Sequence, residues 1–249
     1  FELPNGSAIH SVTFTPDGMS ALYAGNMGRA FRRSLFTKKV VTTYGEVQES
    51  NIRCCRVSGD GKRVFLGRAG NPGVIDVYRT STGRKIKSLR LHGWDVTGVA
   101  PSYDGKELLS SSQDGEAILW NVETACTLYR ENVKSAIRSI ALDKQGRWGY
   151  AGCENGIVVI IDCENHKLYQ RRHIHKDHVH GLVCTGDGRQ LFSVGSDRQL
   201  HFSNAPQLHK VQSVQCHSNY ATALATSADG SYVATGGHDG TVAWWSLDW

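Results

Sequence analysis

Residues 91–120 read LHGWDVTGVAPSYDGKELLSSSQDGEAILW. The segment VTGVAP alternates apolar and small or polar residues, the period of a strand with one buried face. Ser102-Tyr103-Asp104-Gly105 follows, and aspartate next to glycine is the chemistry of a tight hairpin turn. LLSSS is then a second strand of small residues. Gln113-Asp114-Gly115 is a second tight turn, and AILW a third strand. CTLYR at 126–130 closes the series as a fourth, more polar strand.

The same order recurs along the chain. Turn tetrapeptides TPDG, SGDG, SYDG, DKQG, TGDG and SADG end in Gly18, Gly61, Gly105, Gly146, Gly188 and Gly230, a spacing of 41 to 44 residues. Each is preceded by a strand-like segment: IHSVTF, IRCCRV, VTGVAP, IRSIAL, VHGLVC and ATALAT. Each is followed by a small-residue strand such as ALYAG, GYAG or VATGG. A fixed period of this length is the signature of a repeat architecture in which each unit is one supersecondary element. The unit is four strands, repeated six times.

The repeat resembles the WD-repeat family of β-propellers. Unit three, quoted above, and unit six, CHSNYATALATSADGSYVATGGHDGTVAWW at 216–245, carry the resemblance best. The resemblance implies an all-β fold of four-stranded antiparallel blades, read as one propeller domain over residues 1–249. It also implies a hydrogen-bonded tetrad in each well-formed blade: a histidine before the first strand, Ser or Thr in the second, Asp in the next turn, and Trp ending the third. The matching residues are His92, Ser110, Asp114 and Trp120 in unit three, and His217, Thr235, Asp239 and Trp245 in unit six. Unit five keeps His175, Ser193 and Asp197 but has Ser203 in place of Trp. Unit four has Val133, Ala151, Asn155 and Ile161 at these places. Unit two has Gln48 and Tyr78, with extra residues around AGNPG. Unit one has Asn5, Met27 and Arg33 and is the most degenerate.

This register explains RRHIHKDHVHG at 171–181, where His173, His175, His178 and His180 crowd together. Histidine is the commonest metal ligand. Here His175 falls on the tetrad position, His173 at a strand exit, His178 in the loop and His180 inside the next strand. The four do not converge, so no metal and no cofactor are expected.

Loops carry function when sheets are the scaffold. By the resemblance, loops leading into the first strand share a face with those preceding the tetrad Asp, and partners dock there. On this chain the face takes in Arg68, Trp94, Asp95, Gln113, Glu154, His178, Tyr220 and His238, with Trp94 and Tyr220 as interface anchors. A second candidate is a basic patch of Arg29, Arg32, Arg33, Lys38 and Lys39, suited to an acidic protein surface or to RNA phosphates.

Composition is compatible with this picture. Hydrophobic residues make up 40% and charged residues 20%, enough for a core and too apolar for disorder. The net charge of +5 permits nucleic acid or acidic partners without requiring them. Seven cysteines, an odd number without a C-x-x-C pair, argue against a disulfide framework and for a reducing compartment, cytoplasm or nucleus. No apolar run is long enough to span a membrane, and FELPNGSAIH lacks the features of a signal peptide. None of the metalloprotease, nucleophile-elbow, phosphate-loop or dinucleotide motifs is present. The chain stops after the third strand of unit six, so residues 1–3 are the segment expected to complete that blade, unless a seventh unit or a partner does so. The expected role is a non-catalytic scaffold for protein–protein interaction in an intracellular complex. The alternative is an RNA-contacting subunit of a ribonucleoprotein.

Overall fold

The computed structural model describes residues 7–46, 49–227 and 229–247. The described residues are all-β, in the six-bladed propeller class. Every sheet is a meander of sequential antiparallel strands. Blade one uses Ile9–Phe14, Ser20–Gly25, Ala30–Ser34 and Val40–Tyr44. Blade two uses Ile52–Val57, Arg63–Arg68, Val74–Arg79 and Lys85–Arg90. Blade three uses Val96–Pro101, Glu107–Ser112, Glu116–Asn121 and Cys126–Asn132. Blade four uses Ile137–Leu142, Trp148–Cys153, Ile157–Asp162 and Lys167–His173. Blade five uses Val179–Cys184, Gln190–Gly195, Gln199–Asn204 and His209–Gln215. Blade six has three strands among the described residues, Ala221–Thr226, Tyr232–Gly237 and Val242–Ser246. Residues 1–3 and Asn5 lie outside the described residues, as does Gln48. No helix is long and apolar enough to cross a membrane.

The recurring turn is built by its own side chains. Ser58 Oγ donates to Asp60 Oδ1 at 2.6 Å and accepts from the Arg63 N–H at 3.0 Å, while Asp60 Oδ1 accepts from the Lys62 N–H. Thr15–Asp17, Ser102–Asp104, Thr185–Asp187 and Ser227–Asp229 repeat the arrangement. In DKQG, which has no hydroxyl, Asp143 accepts directly from the N–H groups of Arg147 and Trp148. The closing glycine is needed because its φ is positive, for example +71° at Gly61 and +77° at Gly146. The sequence periodicity is therefore a periodicity of hairpins.

The blades group into two compact units, Phe1–Arg130 and Glu131–Trp249. In the first, Leu22, Ala24 and Tyr44 of blade one pack with Ile52, Cys55 and Val64 of blade two. Phe65, Ile75 and Val77 of blade two pack with Val96, Val99 and Trp120 of blade three. In the second, Tyr150, Val158 and Ile160 of blade four meet Val179 and Leu191 of blade five. Phe192, Leu200 and Phe202 of blade five meet Ala221 and Val233 of blade six. Adjacent blades within each unit thus pack through apolar side chains drawn mainly from their first three strands. The fourth strands are largely exposed and polar, and loops at the strand ends carry whatever chemistry is free to act.

Candidate functional site

In blade three the Trp120 Nε1–H donates to Ser110 Oγ at 2.8 Å, and Ser110 Oγ lies 2.8 Å from His92 Nε2. Asp114 accepts from the Gly93 and Glu116 N–H groups and stands 3.7 Å from His92 Nδ1. Burial pushes the Asp114 carboxyl up, but His92 and these backbone donors outweigh it and hold the pKa at about 2. In blade six, Trp245 Nε1 donates to Thr235 Oγ1 at 3.2 Å, and His217 bridges Thr235 and Asp239 at 3.0 and 3.1 Å. In blade five, His175 bridges Ser193 and Asp197, both at 2.8 Å, with no indole present. Most of these buried polar groups are satisfied by one another, the exception being His92 Nδ1, which stands 3.7 Å from Asp114 without a hydrogen bond.

Blade two replaces this arrangement with ions. Arg68 is 3% exposed. It donates to Asp76, to Glu49, and to the carbonyls of Gly28 and Ser50. Asp76 also accepts from Ser88, and Lys85 reaches Glu49. Burial raises the Asp76 pKa, yet the Ser88 and Arg68 hydrogen bonds outweigh it and the net shift is downward. The sequence assigned Arg68 to the partner-facing surface. The structure corrects this: the guanidinium points inward, because a buried Asp76 needs a cation.

The loop positions fall into two groups, one in each unit. In the first, Asp95 accepts from the Gly70 N–H at 2.7 Å and from Arg53 Nε at 3.0 Å, and its carbonyl accepts from the Gln113 N–H. The Trp94 carbonyl accepts from Ser112 Oγ at 3.1 Å. A Cβ at Gly73 would lie 2.0 Å from that carbonyl, so only glycine allows the approach. The backbone of Trp94 is fixed on several sides while its indole is 58% exposed.

In the second unit the Tyr220 ring lies 6.1 Å from that of His238, whose N–H donates to the Tyr220 carbonyl. Tyr220 is 48% exposed. His178 and His180 meet edge to face at 5.8 Å, and His180 Nε2 lies 2.8 Å from Ser196 Oγ. Glu154 takes the Arg138 guanidinium at 2.6 Å. Burial, then the neighbouring His178, Arg138 and His238, depress the His180 pKa. These side chains therefore share one surface. His175 belongs to a different, buried cluster.

The basic segment does not form one patch. Adjacent strand residues point to opposite faces. Arg32 donates to Thr42 Oγ1 and Arg33 to the Lys38 carbonyl, while Arg29 pairs with Glu46 at 3.9 Å. Lys38 and Lys39 are exposed.

The family description "WD domain, G-beta repeat" matches residues 83–121 and 208–246, the segments holding the His92 and His217 networks. The chain carries two WD repeats within a six-bladed β-propeller fold. It is 25% identical over 208 residues to the target of rapamycin complex subunit wat1 of Schizosaccharomyces pombe, covering 80% of this chain and 66% of that protein. It is 29% identical over 158 residues to the U3 small nucleolar RNA-associated protein 18 homolog of Arabidopsis thaliana, covering 61% and 28%. It is 25% identical over 189 residues to the U3 small nucleolar RNA-associated protein 21 homolog of Schizosaccharomyces pombe, covering 75% and 21%. The chain thus spans less than two thirds of the length of each.

Two features of this WD-repeat chain escaped the sequence reading. Trp244 is 73% exposed, whereas Ile160 and Phe202, at the same register in blades four and five, are buried against the following blade. His201 is buried two residues before Ser203 and beside His175, at a register that Ile118 fills in blade three and Val159 in blade four. The break in the apolar pattern at position 201 was a visible signal.

Proposed function

We propose that the protein is a non-catalytic scaffold that binds other proteins within a larger intracellular assembly. The observation that carries this reading is the Trp94 site. An exposed indole sits on a backbone held by Ser112, Gly73 and the Asp95 network. Rigid aromatic side chains lose little entropy on docking and supply large apolar area, which makes them anchors of interfaces. Tyr220 beside His238 offers a second anchor, and Trp244 adds exposed apolar surface of the kind that marks interaction sites. A relative named as a subunit of the target of rapamycin complex supports an assembly role.

The test is affinity purification of the tagged protein from its own cells, with partners quantified by mass spectrometry. The Trp94→Ala, Tyr220→Ala double variant is expected to lose a defined set of partners, while Phe36→Ala, an exposed aromatic on another loop, keeps them. Retention of every partner by the double variant would show that binding uses other surfaces.

The RNA reading draws on two relatives whose names tie them to U3 small nucleolar RNA. It is the weaker one, because Arg29, Arg32 and Arg33 are each engaged within blade one. RNA affinity that falls steeply with salt and vanishes on Arg32→Glu, Arg33→Glu would reverse that ranking.

A further inference from the structure

We propose that blade five binds a divalent metal ion of the zinc class through His175 Nδ1, the Asp197 carboxylate and His201 Nε2. The three residues offer ligand atoms that all lie within 4.8 Å of one another.

The first argument is His201 itself. It is 6% exposed, and among the described residues its Nε2 has no hydrogen-bond partner. The equivalent register elsewhere is apolar (Phe31, Ile118, Val159 and Ala243) or, in blade two, Asp76 matched with Arg68. A buried polar replacement requires a partner. Blade two supplies one, whereas His201 Nε2 stands 3.9 Å from the Asp197 Oδ2 atom. That gap is too long for a hydrogen bond. It exceeds by a few tenths of an ångström the separation, about 3.3–3.6 Å, of two tetrahedral ligands that each stand about 2.0–2.2 Å from a shared zinc ion, so a small side-chain shift closes the site.

The second argument concerns His175. Its Nδ1 lies 2.8 Å from Asp197 Oδ1 and its Nε2 2.8 Å from Ser193 Oγ. To ligate through Nδ1, the ring must carry its proton on Nε2 and donate it to Ser193 Oγ. In blades three and six the equivalent hydroxyl already receives an indole N–H, from Trp120 or Trp245. In blade five the indole is replaced by Ser203, so Ser193 Oγ is left able to accept. The missing Trp and the added His201 therefore act in the same direction. The single proton of the neutral ring moves from Nδ1 to Nε2, so Nδ1 is freed for the metal with no net loss of a proton from His175. The Lys176 and Gln199 N–H groups hold the carboxylate in place at 3.1 and 3.2 Å. Three protein ligands leave a fourth position for water or a donor atom from a bound molecule. Two imidazoles and one carboxylate favour zinc, cobalt or nickel over magnesium or calcium.

The experiment is a Co²⁺ titration of the full chain followed by visible absorption, with Zn²⁺ competition by calorimetry. The expected result is one equivalent bound with the d–d absorption of a tetrahedral centre, displaced by Zn²⁺. His201→Ile, which installs the residue of blade three, should keep the circular dichroism spectrum and lower affinity by more than ~100-fold, beyond the effect of an outer-shell partner. His201→Gln serves if that variant does not fold. His209→Ala, which removes an exposed histidine of the fourth strand of blade five, should bind as the wild type does. Absence of a d–d band in the wild type, with His201 satisfied by water alone, overturns the proposal, and so does unchanged affinity in the His201 variants.

Discussion

Arg68 and Asp76 are buried together in blade two and hydrogen-bonded to each other, at registers filled in blade three by Ser112 and Ile118. Removing one member strands the other without solvent. Asp76→Asn or Arg68→Met is expected to lower the free energy of unfolding by about 3–5 kcal/mol. The double variant Arg68→Met, Asp76→Leu should recover most of the loss, since apolar replacements for a buried pair are often neutral. Urea denaturation of the four proteins checks this. The depressed Asp76 pKa also fixes a sign. The unfolded carboxyl binds a proton first, so this contribution is complete above about pH 4 and is lost as pH falls below it.

Trp244 and Trp245 are neighbours in sequence with opposite surroundings. Trp245 Nε1 donates to Thr235, while Trp244 is exposed on the other face of the strand. Trp245→Phe removes the donor and should cost about 1 kcal/mol. Trp244→Phe should change stability by less than about 0.5 kcal/mol. Thermal unfolding distinguishes them. Equal effects would mean that the Thr235 contact contributes nothing.

His180 gives a pH dependence. Burial, His178, Arg138 and His238 lower its pKa in the folded state, with Asp177 acting in the opposite direction. As pH falls below about 6.5 the unfolded chain takes up a proton that the folded chain resists, so stability declines. Above that range His180 is neutral in both states and contributes no slope. His180→Gln is expected to flatten the dependence of the urea midpoint between pH 7.5 and 5.5. An unchanged slope would place the titration elsewhere.

The repeat was legible because each hairpin is a local event. A hydroxyl or carboxylate in a turn satisfies N–H groups within five residues, and the closing glycine tolerates positive φ, so Ser58, Asp60 and Gly61 carry their own instructions. His92, Ser110 and Trp120, or His175, Ser193 and Asp197, could be named because the repeat resembles the WD family, whose pattern marks these positions, and in the structure they meet. Burial could not be read in this way. Whether Trp244 or Ile160 is covered depends on the neighbouring blade, tens of residues away. Arg68 looked like a loop cation, yet its partners include the Gly28 carbonyl of blade one and the Asp76 carboxylate on the next strand of its own blade. The arginines of blade one seemed to form a patch, until strand alternation sent Arg32 and Arg33 to opposite faces. The sequence by itself determined the hairpins and their number, because those depend on short-range backbone chemistry, while the tetrad positions were read from the resemblance to the WD family. Tertiary structure alone decided which charges are buried, which aromatics stay in solvent and which histidines meet, because low dielectric and packing act between segments that the chain order keeps apart.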